Sequence, residues 1–598
     1  MKLSATLKYN SMSTLCIGST HIYHNALRLS TTSRSPRRLA WTSVKTKTVA
    51  ATVDTLRGSA NYQPSRWDHE FLLSLENIYV KRANCVRDRD SLKEKVRKVL
   101  DETTTPLEQL ELVDKLQRLG VSYHFESKID NILTDFYHNN VRECGKEDLH
   151  ATALKFRLLR EHGFNVSEGI FDVFINKIED GTFESDDIRG LISVYEASYL
   201  ATKLDTKLHK VIRAYANQQL RKIIDSPDHN TYDVNVLEMA VEALEMPYHW
   251  RMKRLETRRY IDAYSKHDVL IEFAKIDFNI VQAVHQEELK YLSSWWKETG
   301  LSNQLHFARD RIVENYFWTV GLIQEPQFGY VRRVITKINA LITTIDDIYD
   351  VYGTLDELQQ FTAIVENWDV NRLDELPEYM KLCYLVLYNE TNSIGRDILK
   401  DKNINVIPFL KKSWGDLCKA YLVEAKWHKK KHKPSVEEYM QNAWISISAP
   451  TLLAHFYCVF SDKISSQVLE TLSRHQQHVV RCSAIVLRLA NDLGTSPDEL
   501  KRGDVLKSVQ CYMNETGASE EKSRAYVEDM ISNTWNEMNN EIISHDSSLL
   551  PRGFVEAAIN LARMSQCMYQ YGDGHGSPEK AKTVDRILST LVNPIPLD

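Results

Sequence analysis

The chain is 598 residues long, 43% hydrophobic and 26% charged, with a formal net charge of −6. That length allows two ordinary domains with full cores, and the composition is that of a soluble globular protein. No apolar run approaches the roughly 18 residues of a membrane span, no basic face dominates as nucleic-acid binding would need, and nine scattered cysteines without a CxxC pair fit a reducing compartment better than a disulfide framework.

The first segment differs in kind from the rest. From Met1 to Val53 there is no Asp or Glu, and there are eight Lys or Arg. Ser and Thr are dense, as in "STTSRSPRRLAWTSVKTKT". This is the composition of an organelle transit peptide, with an ordinary disordered N-terminus as the alternative. No long apolar stretch precedes a small-residue cleavage site, which argues against a secretory signal. The stretch "RGSANYQPSRW" follows at Arg57–Trp67. Beyond it the pattern is helical nearly throughout. "SLKEKVRKVLDE", "LEQLELVDKLQRLG" and "YVRRVITKINALITTI" place apolar residues three and four apart. Gly is sparse, alternating runs are short, and no repeat recurs at a fixed period. The fold class is therefore all-α. The boundary between two helical halves is expected near Ser265–Val269, after "RRYIDAYSKHDV". This divides the chain into 1–56, 57–267 and 268–598.

In the second half, "FARDRIVENYFW" (Phe307–Trp318) sets Arg309 and Arg311 on either side of Asp310. Arginine is the residue that grips phosphate in bidentate fashion. Next comes "VRRVITKINALITTIDDIYD", whose apolar stripe includes Val334, Ile338, Leu341 and Ile345. Asp346 and Asp350 are four apart and stack on one face, with Asp347 about 100° round. Like charges at that spacing repel by a few tenths of a kcal/mol, and unpaired burial costs far more. A divalent cation removes the conflict, since Mg²⁺ and Mn²⁺ take carboxylate oxygens and bridge to phosphate. The alternative is an acidic patch that caps the next helix. "KWHKKKHK" (Lys426–Lys433) precedes Pro434 and reads as a solvated turn. In "LRLANDLGTSPDELKRGD", Asn491, Thr495 and Glu499 fall at i, i+4 and i+8, all hard oxygen donors. Gly494 and Pro497 predict a kink or an end to that helix. Arg488 lies three residues before Asn491. Two oxygen-rich clusters plus arginines point to one ligand, a diphosphate held between metal ions and guanidinium groups.

Taken together these motifs resemble the plant terpene synthases that ionise their substrate. "DDIYD" is similar to that family's aspartate-rich motif. Asn491, Asp492, Thr495 and Glu499 match its second metal motif, and Arg309-Asp310-Arg311 its diphosphate-binding arginines. "RGSANYQPSRW" resembles the paired-arginine-to-tryptophan stretch that opens mature monoterpene synthases. The resemblance covers about Arg57 to Asp598. It implies an N-terminal relic α-barrel over a C-terminal class I catalytic α-bundle. The acid motif of the protonating cyclases (Asp-x-Asp-Asp) is absent, and "ESDDI" near Asp186 does not match it. Chain-elongating prenyltransferases would carry two aspartate-rich motifs, and this chain has one.

The resemblance implies that Asp346, Asp347, Asp350, Asn491, Thr495 and Glu499 bind Mg²⁺ or Mn²⁺, three ions once diphosphate is present. Arg309, Arg311 and Arg488 are expected to stabilise the departing diphosphate of geranyl diphosphate. Trp318, Tyr569 and Tyr571 are the candidate aromatic faces for the carbocation, and His575 a candidate proton relay. Expected partners are the small-molecule substrate alone, with no nucleic acid and no stable membrane insertion, for a monomer or homodimer in the plastid stroma. The likeness is greatest to the 1,8-cineole synthases of the mint family, through "YQYGDGHGSPEKAK" and "NPIPLD". Asn339 lies seven residues before Asp346, on the same face, where an amide can hold the water that captures the α-terpinyl cation. The expected product is therefore 1,8-cineole. Limonene, pinene, sabinene, myrcene or linalool are the alternatives, as are a cytosolic farnesyl diphosphate enzyme and a silent isoprenoid-diphosphate binder. One departure stands out: the family's second arginine is Gly58 here. If Arg57 suffices alone, Gly58→Arg leaves the ratio of cyclic to acyclic product nearly unchanged.

Overall fold

The computed structural model describes residues 57–597 apart from 82–83, 139–147, 227–231, 264–267, 503–504, 544–549 and 579–581; for 497–502 it describes the backbone alone. The expected leader, the carboxylate of Glu499 and most of the expected junction near 265–269 lie outside the described residues. Among the described residues every regular element is a helix, so the chain is all-α. The periodicity read in the sequence is the cause. Cys85–Glu102 buries Leu92, Val96 and Leu100 at four-residue spacing. Pro106–Arg118 buries Leu110, Val113 and Leu116. Aspartates start several helices by accepting free backbone N–H groups: Asp148 from Ala151, Asp233 from Asn235 and Asp268 from Leu270.

Three large apolar cores result. One packs Leu149–Glu161 against Ile188–Ser198, Arg213–Ile224 and Val234–Glu245. A second joins the first helices to Phe273, Ala274 and Phe278, and the largest fills the C-terminal half. The helix Val269–Thr299 serves two of them. Its 31 residues span about 46 Å. Its first turns bury Leu270, Phe273 and Phe278 in the second core, and its last turns bury Leu289, Leu292, Trp295 and Trp296 in the largest. The paired tryptophans are thus core, with indole N–H groups donating to Glu390 and Asp310, both at 2.8 Å. Gly300, at φ 71°, ends this helix in the left-handed region.

Polar residues buried along the same helix fasten the end of the chain. Asn279 exchanges two hydrogen bonds with the Ile595 backbone, at 2.8 and 2.9 Å. Gln282 donates to the Asn593 carbonyl at 3.1 Å and Gln286 to Leu591 at 3.0 Å. Ile595 thereby enters the second core, while Trp67, Leu72 and Leu75 near the start join the largest one.

Val436–Phe460 is apolar enough in composition to cross a membrane, which the sequence reading missed. Its most apolar 18-residue window is 78% buried, and the segment breaks at Ser448, φ 71°, into Val436–Ser446 and Ala449–Phe460. It is a wall of the catalytic half.

Behind that half lies a buried ion pair. Arg332, fully enclosed, donates to both oxygens of Glu288, at 2.8 and 2.9 Å. It also donates to the Glu325 carbonyl at 2.6 Å, and the Tyr316 hydroxyl donates to Glu288 at 2.9 Å. Three helices meet at this pair. Removing one partner strands a charge in the core, at about 3–5 kcal/mol. Arg332→Leu is expected to lower the apparent Tm by roughly 5–10 °C, with part of the loss recovered in the Glu288→Gln/Arg332→Leu double variant. Thermal unfolding followed by circular dichroism measures both.

Candidate active site

The helix Gly329–Asp347 carries the acids into a wider π turn, Ile348–Tyr352, closed by the Gly353 N–H on the Ile348 carbonyl at 2.8 Å. Asp346 and Asp350 face a cavity of about 1020 Å³. Facing the same cavity are Asn491 and Thr495, on His478–Arg502. That helix runs unbroken through Gly494 and Pro497, against the expected kink. Gly494 has a packing reason. A Cβ there would sit 3.0 Å from the Gly572 carbonyl and 3.1 Å from that of Tyr569. Its absence lets the C-terminal segment press against the helix and brings Tyr569 and His575 to the cavity.

The acids do not all face the same way. Asp347 is fully buried and turns from the cavity to Arg309. It accepts the Arg309 backbone N–H at 2.7 Å and its Nε at 3.0 and 3.1 Å. The same guanidinium donates Nη2 to Asp346 at 2.5 Å and lies 5.2 Å over the Tyr62 ring. Burial would lower the Arg309 pKa, but Asp347, Tyr62 and Asp346 reverse this and hold it well above the ordinary value. Arg309 is a fixed cation at the cavity wall. For Asp347 to bind a metal ion, Arg309 must first let go of it.

Arg488 is the second cation in the wall. It donates Nε to Asp492 at 2.8 Å and Nη2 to Asn491. Asp492, part of the matched motif, is fully buried behind the helix. It takes the Tyr439 hydroxyl at 3.0 Å and the Ser508 N–H at 3.1 Å. Of the two acidic motifs, the donors left facing the cavity are two carboxylates, an amide and a hydroxyl. All are hard oxygens, and this set suits a Mg²⁺-like ion.

Two expected site residues lie elsewhere. Arg311 is buried and points away, donating to the carbonyls of Gln63 (2.9 Å), His575 (3.1 Å) and Gly576 (3.1 Å). It clasps the N-terminal strand to the C-terminal loop. The Tyr571 hydroxyl bonds Glu245, and Lys582 lies 4.1 Å over the Tyr571 ring, outside the cavity.

The apolar end holds the remaining candidates. The rings of Trp318 and Tyr569 sit 6.2 Å apart in the wall. His575 bonds Asn315 Oδ1 through Nε2 at 3.0 Å. Burial, then Arg309 and Arg311, push its pKa well below the ordinary value, so the ring is neutral, with Nε2–H donating to Asn315. Asn339 also lines the cavity, and no described protein group hydrogen-bonds its side-chain amide.

Sequence reasoning missed several groups. Tyr421 is buried beside the acids, and burial followed by Asp346 and Asp350 pushes its phenol well up. No motif marks it. The basic run does more than turn. Lys431, at φ 52°, ends Ile407–Lys430, and Lys429, Lys431 and Lys433 stand at the cavity rim.

The strand from Arg57 crosses the same rim. Arg57 donates to Glu357 at 2.8 and 3.0 Å and to the Tyr379 hydroxyl at 3.2 Å, and stacks 4.6 Å over Tyr352. Burial opposes ionisation of Glu357, yet Arg57 and Thr354 draw its pKa down to about 2. Gly58 lies against the π turn, and a Cβ there would fall 2.3 Å from the Val351 carbonyl oxygen. A side chain at 58 therefore requires the strand or the Val351 backbone to shift, which bears on the expectation for Gly58→Arg.

Residues 66–244 match a family model described as the terpene synthase N-terminal domain, and 297–537 one described as the terpene synthase family metal binding domain. The chain is 66% identical to 1,8-cineole synthase 1, chloroplastic, of Arabidopsis thaliana, over 98% of this chain and 99% of that one. It is 65% identical to beta-myrcene/(E)-beta-ocimene synthase 2, chloroplastic, of the same plant, over 98% and 100%. Among solved structures it is similar to a limonene synthase with 2-fluorolinalyl diphosphate (TM-score 0.86, 43% identity, 90% of this chain and 100% of that one). It is also similar to isoprene synthase from grey poplar leaves with three Mg²⁺ ions and dimethylallyl-S-thiolodiphosphate (TM-score 0.80, 41% identity, 89% and 99%).

Three outcomes follow from this geometry. Asp346→Ala should lower turnover at least about a hundredfold with unchanged circular dichroism and Tm. Asp347→Ala should lose as much activity and also melt earlier, since Arg309 is left buried beside a single partner. Gly58→Ala should raise the acyclic share of product and speed limited proteolysis after Arg57 or Arg66; wild-type values for both would show that the close approach at Val351 is idle.

Proposed function

The chain belongs to the terpene synthase family and is a plant monoterpene synthase, and on that premise we propose that it converts geranyl diphosphate mainly to 1,8-cineole. The enzyme is a lyase that depends on divalent metal. Asp346, Asp350, Asn491, Thr495 and Glu499 would hold the ions, Mg²⁺ or Mn²⁺, three with diphosphate bound. Bound ions supply positive charge against the leaving diphosphate. The chain's own share is positional. Arg309 and Arg488 present fixed positive charge to the cavity and stabilise the negative charge that develops on diphosphate. Substrate entry requires Arg309 to exchange Asp346 and Asp347 for phosphate oxygens, so capture and release of the acids are one event. The 57–63 strand and the clasp at Arg311 keep bulk water from the allylic cation. Arg311 is thus a positioning residue.

Cyclisation through the α-terpinyl cation then runs between the faces of Trp318 and Tyr569, each worth roughly 0.5–2 kcal/mol to a passing cation. The neutral His575 ring is available to accept a proton. The observation that carries the product reading is the unpartnered amide of Asn339 in the cavity wall. Such a group can hold one water where an aliphatic side chain cannot. That water captures the α-terpinyl cation to give α-terpineol, which closes to cineole. Overall likeness does not choose the product, because relatives of nearly equal identity bear cineole and myrcene/ocimene names.

We place the enzyme in the plastid stroma, on the acid-free leader and the chloroplastic names of its relatives. The domain division is 57–267 and 268–598. Every proposed donor comes from one chain, so a monomer suffices.

The test is purified protein with geranyl diphosphate and Mg²⁺, with volatiles resolved by gas chromatography. Wild type should release mainly oxygenated cyclic monoterpene, with pinene, sabinene, myrcene or limonene as companions. Asn339→Ile should remove the oxygenated fraction and leave hydrocarbons. All-hydrocarbon wild-type product, or unchanged alcohol and ether in Asn339→Ile, would refute the water-holding role. Turnover of farnesyl diphosphate alone would overturn the substrate, and no turnover of either would leave a silent binder.

A further inference from the structure

Far from the cavity's donors, the start of His478–Arg502 packs against the end of Glu520–Ile543. The two helices run antiparallel: Arg524 reaches the Leu493 carbonyl at 2.8 Å, while His478 meets Glu537 and Glu541 at the other end. His478 and Cys482 are one turn apart on the first helix, and Glu537 and Glu541 one turn apart on the second. Each pair shares a face. Three donors of three chemical types converge there, with Glu541 on the other side of the His478 ring. His478 Nε2 is 3.2 Å from Glu537 Oε2, and Nδ1 is 3.2 Å from Glu541 Oε1. The Cys482 sulfur lies 3.7 and 3.8 Å from the two ring nitrogens. The donor atoms of His478, Cys482 and Glu537 all fall within 4.8 Å of one another.

We propose that His478, Cys482 and Glu537 form a second, thiolate-containing metal site for Zn²⁺ or a similar borderline-soft divalent ion, with water in the fourth position. Zinc bonds of about 2.0–2.3 Å in a tetrahedron put neighbouring donors about 3.3–3.7 Å apart. The separations from His478 to Glu537 (3.2 Å) and to Cys482 (3.7 and 3.8 Å) lie close to that edge length, and the third side of the group is within 4.8 Å. A surface ion-pair network would explain a histidine bridging two glutamates. It would not require a buried thiol beside the same ring, and Cys482 is 1% exposed. The supporting contact is also in place. Lys203 holds Glu537 by Oε1 at 2.6 Å, which leaves Oε2, the oxygen towards His478, for the ion. On binding, the thiol proton of Cys482 leaves to solvent and the sulfur takes the metal, with no change of oxidation state. The catalytic donors offer no sulfur, so the two sites select different ions. Among the described residues no other group of histidine, cysteine and carboxylate donors converges this way.

The probe is Co²⁺ added to the full-length protein in saturating Mg²⁺, which occupies the oxygen-lined site. One equivalent should produce a near-ultraviolet thiolate-to-cobalt charge-transfer band, displaced by Zn²⁺. Cys482→Ala should abolish the band, and His478→Ala, at a half-exposed position that folding does not need, should weaken Zn²⁺ binding at least about tenfold. Monoterpene formation in Mg²⁺ serves as the fold control for both variants. No band in wild type, or a band that survives Cys482→Ala, overturns the site.

Discussion

Arg309 lying across Asp346 and Asp347 is the contact on which the catalytic half depends. Two neighbouring carboxylates at the end of an apolar helix repel each other, and one of them is wholly buried. A single guanidinium satisfies both, and its own charge is secured by them. The consequence is a cavity that stores its charges in pairs. Arg488 with Asp492 and Asn491 repeats the device on the facing helix. Each cation rests on oxygen donors. In the function proposed above, substrate binding is a redistribution of these existing charges within a preformed frame. This is how fixed dipoles and ions acquire their advantage over water.

Around that centre the two ends of the described chain act as a rim. Arg57, Gly58, Tyr62 and Gln63 contact Glu357, Val351, Arg309 and Arg311 in turn. Arg311 binds the loop at His575 and Gly576 as well, so one buried arginine joins segments at opposite ends of the sequence. At position 58, where the related motif carries a second arginine, Gly58 lies directly on the backbone beside Asp350.

Much of this was legible in the sequence because it is written in period and spacing. The helices follow from apolar residues three and four apart, and the shared face of Asp346 and Asp350 from the four-residue step. What spacing does not carry is direction across long separations. Arg309 and Arg311 look equivalent two residues apart, yet one faces the acids and the other the C-terminal loop. Asp347 sits among metal-type acids but is claimed by an arginine 38 residues earlier. Gly494 predicts a break by local propensity; tertiary contact with Tyr569 and Gly572 overrides it. Tyr571 and Tyr569 share one short stretch, and a turn sends only one of them inward. In the basic run at 426–433, Lys426–Lys430 continue the helix Ile407–Lys430 and only 431–433 leave it, against the expected turn, and its place on the rim follows from packing.

The docking of the Ile595 segment on Asn279, 316 residues earlier, bears on how the chain comes to fold at all. A ribosome emits the second core's helices long before the strand that completes it. Without that segment Asn279, Gln282 and Gln286 lack the backbone partners they have in the folded chain. Domains that close on local contacts can fold during synthesis, but a core sealed by a late segment stays open until translation ends. Such a chain remains pliable while its early portion is being handled by other machinery. A polypeptide that must be threaded unfolded through an organelle envelope gains from that delay, with its final lock made only on the far side.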